Sequence, residues 1–595
     1  MATKKSKKKV VILGGGVAGM SAAHELIERG YDVEVFEKHL VYSGGKARSV
    51  DVLGTNSDGQ DNYLPGEHGF RFFPGFYKHV TDTMKRIPYK NSKGKSNKNG
   101  CLDNLVPTSL IMIARYDKEP IVTTASFPKT LKQWKVVIHD IFGGVDTGLT
   151  KEEEVFFAEK VWQLMTTCTE RRFNEYEKLG WWDFLEADRF STTYQHLLVE
   201  GLTRTLVAAQ ARTASTKTGG DIFLQLIFNM LDPSINTDRV LNGPTNERWL
   251  YPWLDYLREK GVKFNLNHKV LDLKIKDKKI VSATIRNNHF RHITVEADYF
   301  VLAVPIEKAA DLISDEILKV DNSLSSLKTL AKSVSWMNGI QFYLNKDVKV
   351  NPGHVIYCDT EWAVTSISQV QFWDDYDLEN RYNGKVRGVL SVDISDWLYT
   401  KYPTSEDDSG VLAHDCKPEE VKNIVWEQMK KSLNVGGKEL LKDEMIEHWY
   451  LDRDIRWRPI KQEDVDEEPL LVNTVNSWAL RPESYTHIPN LFLASDYVKT
   501  NTDLATMEGA NEAARRAVNG ILVDSNYDGK LCEVWEMEEP FLFNPLKRLD
   551  KQRYDKGLPY SMHEPFWIKI IMAIWGIIFL IGTFFKWLQS KFRTT

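Results

Sequence analysis

The stretch that most constrains the fold lies near the start of the chain and reads KKVVILGGGVAGMSAAHELIERGYDVEVFEK. A short apolar segment is followed by Gly14, Gly16 and Gly19, which have the spacing G-x-G-x-x-G. Helical periodicity comes next, and then a second apolar segment that ends at Glu37, 23 residues after the first glycine. A strand, a glycine turn, a helix and a strand that ends in an acid predict a dinucleotide-binding βαβ unit.

Each part of this motif has a physical role. The first glycine permits a tight turn, the second lets backbone amides approach a pyrophosphate, and the third lets the helix pack closely on the strand. Helical spacing begins at Ala18, and the positive N-terminus of this helix is predicted to face the phosphates, so Val17 and Ala18 are expected to contact the cofactor. Glu37 is predicted to accept hydrogen bonds from ribose hydroxyls, and its charge disfavours NADP. Lys38, beside it, is also predicted to contact the cofactor.

Two further motifs indicate which dinucleotide binds. YSGGKARS contains Gly44, Gly45 and Lys46, and GEHGFRFFPGFYKHV follows at residues 66–80. Flavin enzymes of the amine oxidase and phytoene (carotene) desaturase superfamily carry GG(R/K) at the first place. The second motif resembles the G-x-H-x-F pattern of plant-type phytoene and zeta-carotene desaturases. The resemblance implies FAD, with the GGK turn beside its pyrophosphate and flavin.

The end of the chain carries a matching pattern, IPNLFLASDYVKTNTDLATMEGANEAARRAVNGI. A buried strand precedes Asp496, and a helix begins near Thr506 and Met507. In the family that this resembles, the acid binds the ribityl chain or the pyrophosphate, and the helix N-terminus faces the flavin C2 carbonyl. A helix N-terminus carries about +0.5 charge there. Val270 matches a position whose backbone brackets the adenine.

The resemblance implies an α/β fold with a Rossmann-like FAD-binding domain that is discontinuous in sequence. A mixed α+β substrate domain is inserted into it, and a hydrophobic helix follows at the C-terminus. The predicted FAD-binding parts are 1–85, 240–305 and 485–524, and the substrate domain comprises 86–239 and 306–484. Residues 525–564 are predicted to be a linker, and 565–590 a membrane anchor helix.

The motif GEHGFRFFPGFYKHV combines aromatic rings with charges. Beside a flavin, Phe70, Phe72 and Phe76 could wall an apolar substrate chain. The predicted catalytic residues are His68 and Arg71, which together with Gly69 are also expected to contact FAD, and Glu67 is expected to pair with Arg71. In the alternative interpretation, His68 and Arg71 only fix this loop to the cofactor. The charged stretch HWYLDRDIRWRP, 448–459, matches no family pattern and is interpreted as a salt-bridged face.

Charge and cysteine content exclude several classes of protein. The net charge of −5 and the pI of about 6.3 give no indication of nucleic acid binding. The five cysteines are far apart and form no CxxC, which argues against a disulfide framework and against a zinc site. We therefore expect no metal centre, and a reducing compartment.

The C-terminal tail indicates membrane attachment. Residues 570–585 read IIMAIWGIIFLIGTFF without a charge, and flanking lysines extend the apolar run to roughly 20 residues. Tryptophans at 567 and 587 lie at the two ends, as interfacial aromatics do. A helix lying in one leaflet and a buried core helix are the alternatives. We expect a C-terminal anchor with the catalytic domain on the cytoplasmic side.

Three functions fit these features. The first is a membrane-associated FAD-dependent oxidoreductase that desaturates a long lipid or isoprenoid by hydride transfer to flavin N5, with redox-neutral dehydroxylation or isomerisation on the same scaffold as a variant. Hydroxysqualene dehydroxylase-like proteins share this scaffold. The second is a tethered amine oxidase, and the third is a flavoprotein whose FAD is structural. The electron acceptor would be a quinone or oxygen, and a redox-neutral reaction would need none.

Overall fold

The computed structural model describes residues 7–56, 62–108, 110–123, 147–201, 210–229, 238–373, 375–398, 411–563, 566 and 576. Of the predicted anchor helix 565–590, all but two positions lie outside the described residues, so this prediction remains open. Among the described helices, none is both long enough and apolar enough to cross a membrane.

The first layer of the fold is a five-stranded parallel sheet, called here the nucleotide sheet. Three separate parts of the chain contribute its strands, in the spatial order Lys263–Asn265, Asp32–Phe36, Lys9–Leu13, Tyr299–Leu302 and Leu491–Leu493. All neighbouring pairs are parallel. The central strands are buried on both faces, which accounts for their unbroken apolar sequence.

Two helices pack together on one face of the nucleotide sheet. Val17–Glu28 follows the first glycine turn, and Met507–Asp524 follows the last strand. Small residues line their contact, where Ala22, Ala23 and Ala514 are fully buried. These two helices bring both predicted ends of the FAD signature to the same edge of the sheet.

The second layer is a seven-stranded mixed sheet, called here the substrate sheet. Its strands in spatial order are Ile446–Leu451, Asn338–Leu344, Gly388–Ile394, Val364–Ser368, Val355–Tyr357, Ile111–Arg115 and Lys118–Thr123. Neighbours are antiparallel, except that Val355–Tyr357 runs parallel to Ile111–Arg115. The strand Gly388–Ile394 is buried along its whole length and lies near the middle of the sheet.

A helical layer faces part of the substrate sheet. Its main helices are Lys151–Thr166 and Thr216–Asn229. The first begins with a capping box, in which the Thr150 side chain accepts from the Glu153 N–H and the Glu153 carboxylate accepts from the Thr150 N–H. Apolar residues of this layer pack with Ile113 and Ile121 of the sheet, so a second core forms away from the nucleotide sheet.

Short elements connect these layers. The shorter strands pair as Ser49–Asp51 with Pro65–Glu67, Phe73–Pro74 and Leu105–Thr108 with Asp238–Leu241, Lys269–Lys276 and His292–Val295 with Lys279–Arg286, Val334–Ser335 with Leu470–Leu471, and Ile455–Arg458 with Glu463–Asp466. The remaining α-helices among the described residues are His79–Arg86, Thr169–Asn174, Trp181–Phe184, Thr192–Tyr194, Tyr251–Glu259, Ile306–Leu312, Asp315–Val320, Ser326–Leu330, Pro418–Leu433, Ser477–Leu480 and Asn544–Asp555.

The segment predicted to be a linker contains the helix Asn544–Asp555, which packs on the helical layer. Asp550 accepts from the buried Arg171 guanidinium at 3.1 Å. Tyr560 and Thr166 share a hydrogen bond of 2.7 Å, and Met562 packs against the same core. The described chain therefore reaches residue 563 directly beside the helix Lys151–Thr166.

Candidate active site

One large cavity joins the nucleotide sheet to the space between the substrate sheet and the helical layer. Its volume is about 1580 Å³. Pockets for one small ligand commonly measure about 300–1,000 Å³, so this cavity has room for more than one drug-sized molecule. At one end it is lined by the glycine turns, and at the other by aliphatic and aromatic side chains.

The glycine turns shape the first end of the cavity. Gly14 has a φ of +112°, and a side chain on it would lie 2.4 Å from the carbonyl oxygen of Ala303. A side chain on Gly19 would lie 2.0 Å from the carbonyl oxygen of Gly14, so only glycine permits this helix to approach the strand. By contrast, nothing lies within 3.7 Å of the place where a side chain on Gly16 would begin. Gly14 and Gly19 are therefore required by the close packing of the backbone. Gly16 instead leaves free space on the side of the cavity.

The GGK turn lies against this first turn. Gly44 donates to the carbonyl oxygen of Gly15 at 2.8 Å, and its φ of +105° is left-handed. Gly45 also has a left-handed φ, +58°, and its Cα faces Gly16. Lys46 lines the cavity, while its amine donates to the carbonyl oxygen of Pro469 at 2.5 Å.

Glu37 occupies the position predicted for ribose binding. Its carboxylate is buried and accepts from the Gly15 N–H at 2.6 Å and the His39 N–H at 2.9 Å. Each bond goes to a different oxygen, and a carboxylate has about four acceptor sites, so acceptor capacity remains for two hydroxyls. Val270 lines the same end of the cavity. Lys38 lines it as well, but its amine is paired with Glu468 at 2.7 Å.

The helix Met507–Asp524 points its N-terminus at the cavity. Thr506 caps it by accepting from the Gly509 N–H at 3.2 Å, and Thr506, Met507 and Asp496 all line the cavity. Glu508 turns away and accepts from the N–H groups of His79 and Val80 at 2.8 and 2.9 Å. Glu508, the acid of the MEGA motif, therefore binds the backbone at the end of the GEHGFRFFPGFYKHV stretch and does not face the cavity.

The predicted cofactor-binding residues come together at this end. All of them except Gly19 and Gly45 line the cavity. Two helix N-termini, an acid with spare acceptor sites and an open glycine suit the pyrophosphate and ribose of a dinucleotide. The chain's own geometry therefore fits FAD.

His68 lies at the junction between the nucleotide end and the rest of the cavity. Its Nδ1 is 2.6 Å from Asp452 and 3.7 Å from Asp454. Burial alone would lower the pKa of His68, but the charge of Asp452 and the hydrogen bonds of Asp452 and Asp454 together outweigh it and raise the pKa to about 9. His68 is therefore an imidazolium at neutral pH and is not available as a base.

The acids that surround His68 come from the stretch HWYLDRDIRWRP. Asp452 and Asp454 are buried, and Arg48 donates to Asp454 at 2.7 Å and to Glu468 at 3.1 Å. The structure thus makes part of this stretch an internal charge network, whereas the sequence suggested a salt-bridged face. His68, Asp452 and Asp454 offer ligand atoms within 4.8 Å of one another, a spacing that would also suit a metal ion. The Arg48 guanidinium opposes a further cation there.

The Arg71 guanidinium donates its hydrogen bonds to backbone carbonyl groups. Its guanidinium donates to the carbonyl oxygens of Gly69, at 2.6 Å, and Lys46. The predicted pairing with Glu67 is electrostatic, because burial raises the pKa of Glu67 and the charge of Arg71 opposes that rise. The Glu67 carboxylate accepts its hydrogen bonds from Thr245, at 2.9 and 3.0 Å, and from a serine hydroxyl at 3.3 Å. Arg71 therefore fastens the GEHGF segment to the GGK turn.

Asp393 is a candidate functional residue that the sequence did not indicate. It lies on the central strand Gly388–Ile394 of the substrate sheet, and it lines the cavity beside His68 and Arg71. Burial raises the pKa of Asp393 to about 7, although the two neighbouring cations oppose that shift. A carboxyl group poised near neutrality in a cavity can accept or return a proton.

The far end of the cavity is an apolar chamber. It is walled by the substrate sheet on one side and by the helical layer on the other, through Ile111, Ile113, Phe157, Val161, Leu198, Ile222, Phe223, Leu226, Ile227 and Ile356. Phe70, Phe72 and Phe76 line the junction, as the sequence predicted. The chamber is therefore suited to a long apolar molecule whose one end reaches His68, Arg71 and Asp393.

The fold and this site define an α/β protein in which a dinucleotide site opens into a large cavity. The family model for flavin containing amine oxidoreductase matches residues 17–522. The chain therefore belongs to that family and is an FAD-dependent oxidoreductase. This confirms the predicted superfamily, cofactor and enzyme class.

Relatives of this chain support the family assignment. The chain is 24% identical over 333 residues to a zeta-carotene desaturase from Synechocystis sp., across 52% of this chain and 59% of that protein. It is 36% identical over 86 residues to a zeta-carotene desaturase from Zea mays, across 14% of each. The matches thus span 14% to 59% of these relatives.

Solved structures share the fold at low identity. A cyclohexylamine oxidase from Brevibacterium oxydans superposes with a TM-score of 0.57 at 13% identity, across 88% of this chain and 100% of that one. A putrescine oxidase gives a TM-score of 0.55 at 13% identity, across 87% and 99%. These likenesses establish the mixed α/β fold.

Proposed function

We propose that this protein is a membrane-associated FAD-dependent oxidoreductase that dehydrogenates a long apolar lipid or isoprenoid. The observation that carries the proposal is the cavity, which leads from the glycine turns past a small polar junction into the apolar chamber. Burial of apolar surface contributes roughly 25 cal/mol per Å², so such a chamber favours a long hydrocarbon chain over a short polar substrate.

Two polar groups of the junction, Asp393 and His68, have different roles in the proposed dehydrogenation. Bound FAD supplies the capacity to accept a hydride. The proton that leaves with it needs an acceptor, and Asp393 is placed for that role because it is buried, lines the cavity and is poised near neutrality. His68, held as a cation by Asp452, stabilises the ionised form of Asp393.

A tethered amine oxidase is the second candidate function, and the superposed oxidases give it weight. Its expected marks in this superfamily include a lysine near the flavin that holds a water. The described lysines that line the cavity are Lys38, Lys46, Lys269 and Lys308. Lys38 and Lys46 follow the two nucleotide-binding motifs in sequence. Lys269 begins the strand Lys269–Lys276, and Lys308 lies in the helix Ile306–Leu312, which follows the strand Tyr299–Leu302. Among the described residues, the chamber itself is lined without a lysine, which favours the lipid proposal.

The position of the C-terminal segment supports membrane association. Tyr560 shares a hydrogen bond with Thr166 of the helix Lys151–Thr166, and Met562 packs on the core that includes Phe157 and Val161 of that helix, which line the cavity. A tail anchored in a bilayer would therefore hold this wall close to the membrane, where an apolar substrate dissolves. We place the catalytic domain on the cytoplasmic side, with a quinone as electron acceptor. Oxygen, or a redox-neutral dehydroxylation or isomerisation that needs no acceptor, remains the alternative.

The test of the substrate class compares lipid extracts from cells with and without the gene. We expect one lipid to accumulate in the deletion strain, and complementation with the wild type to remove it. Ile222→Trp fills the chamber and should fail to complement, whereas Ile222→Val should succeed. An unchanged lipid profile, together with amine-dependent peroxide release by the purified protein, would contradict the proposal.

Membrane association has its own test. Removal of residues 565–595 should move the protein from the membrane fraction to the soluble fraction while the flavin stays bound. Replacement of the same residues by a polar sequence of equal length is the matched control and should behave like the truncation. Unchanged partitioning of both variants would contradict the anchor.

A further inference from the structure

A row of paired residues crosses the substrate sheet on the face that lines the cavity. Gly339 pairs with Asp393, Asp393 with Thr365, Thr365 with Ile356, and Ile356 with Ile113. Side chains of directly paired residues lie on the same face of a sheet. All members of the row except the glycine line the cavity. The row is thus polar at Asp393 and Thr365, on the side of the nucleotide end, and apolar at Ile356 and Ile113, inside the chamber.

The two polar members of this row carry buried atoms that lack a partner. Asp393 is 5% exposed and Thr365 is fully buried. Within the part of the chain that the structure describes, Asp393 Oδ1 and Thr365 Oγ1 have no hydrogen-bond partner. A buried polar group left unpaired destabilises a protein. Such groups persist where a ligand completes their hydrogen bonds.

Glycines hold the polar end of the row in place. A side chain on Gly69 would lie 2.4 Å from Asp393 Oδ1, and one on Gly339 would lie 2.9 Å from the Gly69 Cα. Gly339 also donates to the carbonyl oxygen of His68 at 2.6 Å. The carboxylate is therefore pressed against the GEHGF segment, and its unpaired oxygen is fixed at the junction.

A third unpartnered group lies on the same side of the cavity. His354 precedes Ile356 by two residues, lines the cavity and contacts the rings of Phe70 and Phe72 at 5.2 Å between centroids. Its Nε2 is buried and has no hydrogen-bond partner among the described residues. Burial lowers the pKa of His354 to about 4, so the ring is neutral. A neutral imidazole supplies one donor and one acceptor.

We propose that Asp393 and Thr365 form a hydroxyl-binding subsite, so that the substrate is an amphiphilic lipid with one hydroxyl group at the end of a long apolar chain. This inference rests on the proposed function and names its substrate class more closely. The carboxylate accepts from the substrate O–H, and the Thr365 hydroxyl donates to the substrate oxygen. The chain then runs along Ile356 and Ile113 into the chamber.

Other ligand chemistries fit this row less well. A pure hydrocarbon would leave Asp393 Oδ1 and Thr365 Oγ1 buried and without a hydrogen bond, and sites of that kind discriminate against a ligand that lacks the group. An ammonium group would meet His68 and Arg71, the two cations whose charges already act on Asp393. A hydroxyl matches one acceptor and one donor without adding charge.

The test measures binding of two chains that differ only in the hydroxyl. Phytol and phytane are titrated into the FAD-loaded protein, and binding is followed by the fluorescence of the bound flavin and of the tryptophans. We expect phytol to bind about 10- to 100-fold more tightly, which is the range of one or two hydrogen bonds to a charged or neutral partner. Equal affinities would overturn the inference while leaving the apolar chamber intact.

Variants locate the effect on the row. Thr365→Val keeps the side-chain shape and should lower the phytol affinity about tenfold while phytane binds as before. Ile356→Val, the matched control on the same row, should weaken both ligands alike. A phytol-to-phytane ratio that survives both Thr365→Val and Asp393→Asn would also overturn the inference.

Two further outcomes separate this inference from the proposed function. If phytylamine binds more tightly than phytol, the subsite recognises a cation and the hydroxyl proposal is overturned. If the folded, flavin-loaded protein binds none of the three chains, the lipid function itself is contradicted, and the hydroxyl subsite is overturned with it.

Discussion

The two ends of the cavity are built in different ways. At the nucleotide end, backbone groups and glycines define the site, and the carboxylates of Glu37 and Asp496 line it. At the junction, side chains from distant parts of the chain define it: His68 from one loop, Asp452 from a second segment and Asp393 from a sheet strand. Backbone sites need a local glycine spacing, whereas side-chain sites need only that the fold bring their members together.

This difference separates cofactor binding from substrate choice. The chain is similar in sequence to a zeta-carotene desaturase and in fold to a cyclohexylamine oxidase. The junction and chamber can change residue by residue without disturbing the glycine turns. Substitutions at the nucleotide end should therefore impair folding or flavin binding, whereas substitutions at the junction should impair activity and leave the flavin bound.

The largest expected effect comes from two glycines of one motif. Gly19→Leu should prevent folding, because its side chain would begin 2.0 Å from a carbonyl oxygen. Gly16→Trp should fold but purify without flavin, because its side chain has free space that points into the cofactor end. Soluble yield, circular dichroism and flavin absorbance distinguish the two outcomes. A yellow Gly16→Trp protein would contradict the placement of FAD.

The next effect concerns catalysis at the junction. Asp393→Asn should retain FAD and lower kcat by about 10²- to 10⁴-fold, the usual contribution of a general base. Wild-type activity should rise as the pH passes about 7, where Asp393 loses its proton, and the variant should lack that inflection. Flavin content and the pH profile of turnover are the measurements.

Asp238 offers a matched control for Asp393. It also lines the cavity, and burial raises its pKa to about 7, but its charged neighbour is Arg239 rather than His68. Asp238→Asn should therefore cost much less activity. If Asp238→Asn removes the inflection and Asp393→Asn keeps it, the proton acceptor is wrongly assigned.

The smallest effect is a pH dependence of stability. Because the folded-state pKa of His68 is raised from 6.5 to about 9, its pair with Asp452 contributes fully below pH 6.5, and the contribution is lost as the pH rises through 9. The shift corresponds to about 3 kcal/mol. Thermal midpoints of wild type and Asp452→Asn should differ most near pH 6 and converge by pH 10. A constant gap would contradict the charged state assigned to His68.

Sequence and structure agree where the determinants are local. The strands, the glycine turns and the helix that begins at Met507 could be predicted because spacing and periodicity act over a few residues. The family resemblance then implied FAD, and Phe70, Phe72 and Phe76 were correctly expected to line a cavity.

The junction could not be predicted because its partners are remote in sequence. Asp393 lies in the strand GVLSVDI, where one acid among apolar residues resembles an ordinary strand end. Asp452 and Asp454 are hundreds of residues from His68, and no local pattern links them. The one available indication was their position in a charged stretch between apolar segments, which suggested a surface face instead.

The most direct measurement mixes the purified, oxidised protein with lipids in the absence of oxygen and follows the visible absorbance of its flavin. Lipid extract from cells that lack the gene contains the accumulated substrate, and extract from wild-type cells is the control. The account predicts bleaching by the first extract, little bleaching by the second and none by short amines. Bleaching by amines but by neither extract would contradict a lipid-dehydrogenating enzyme.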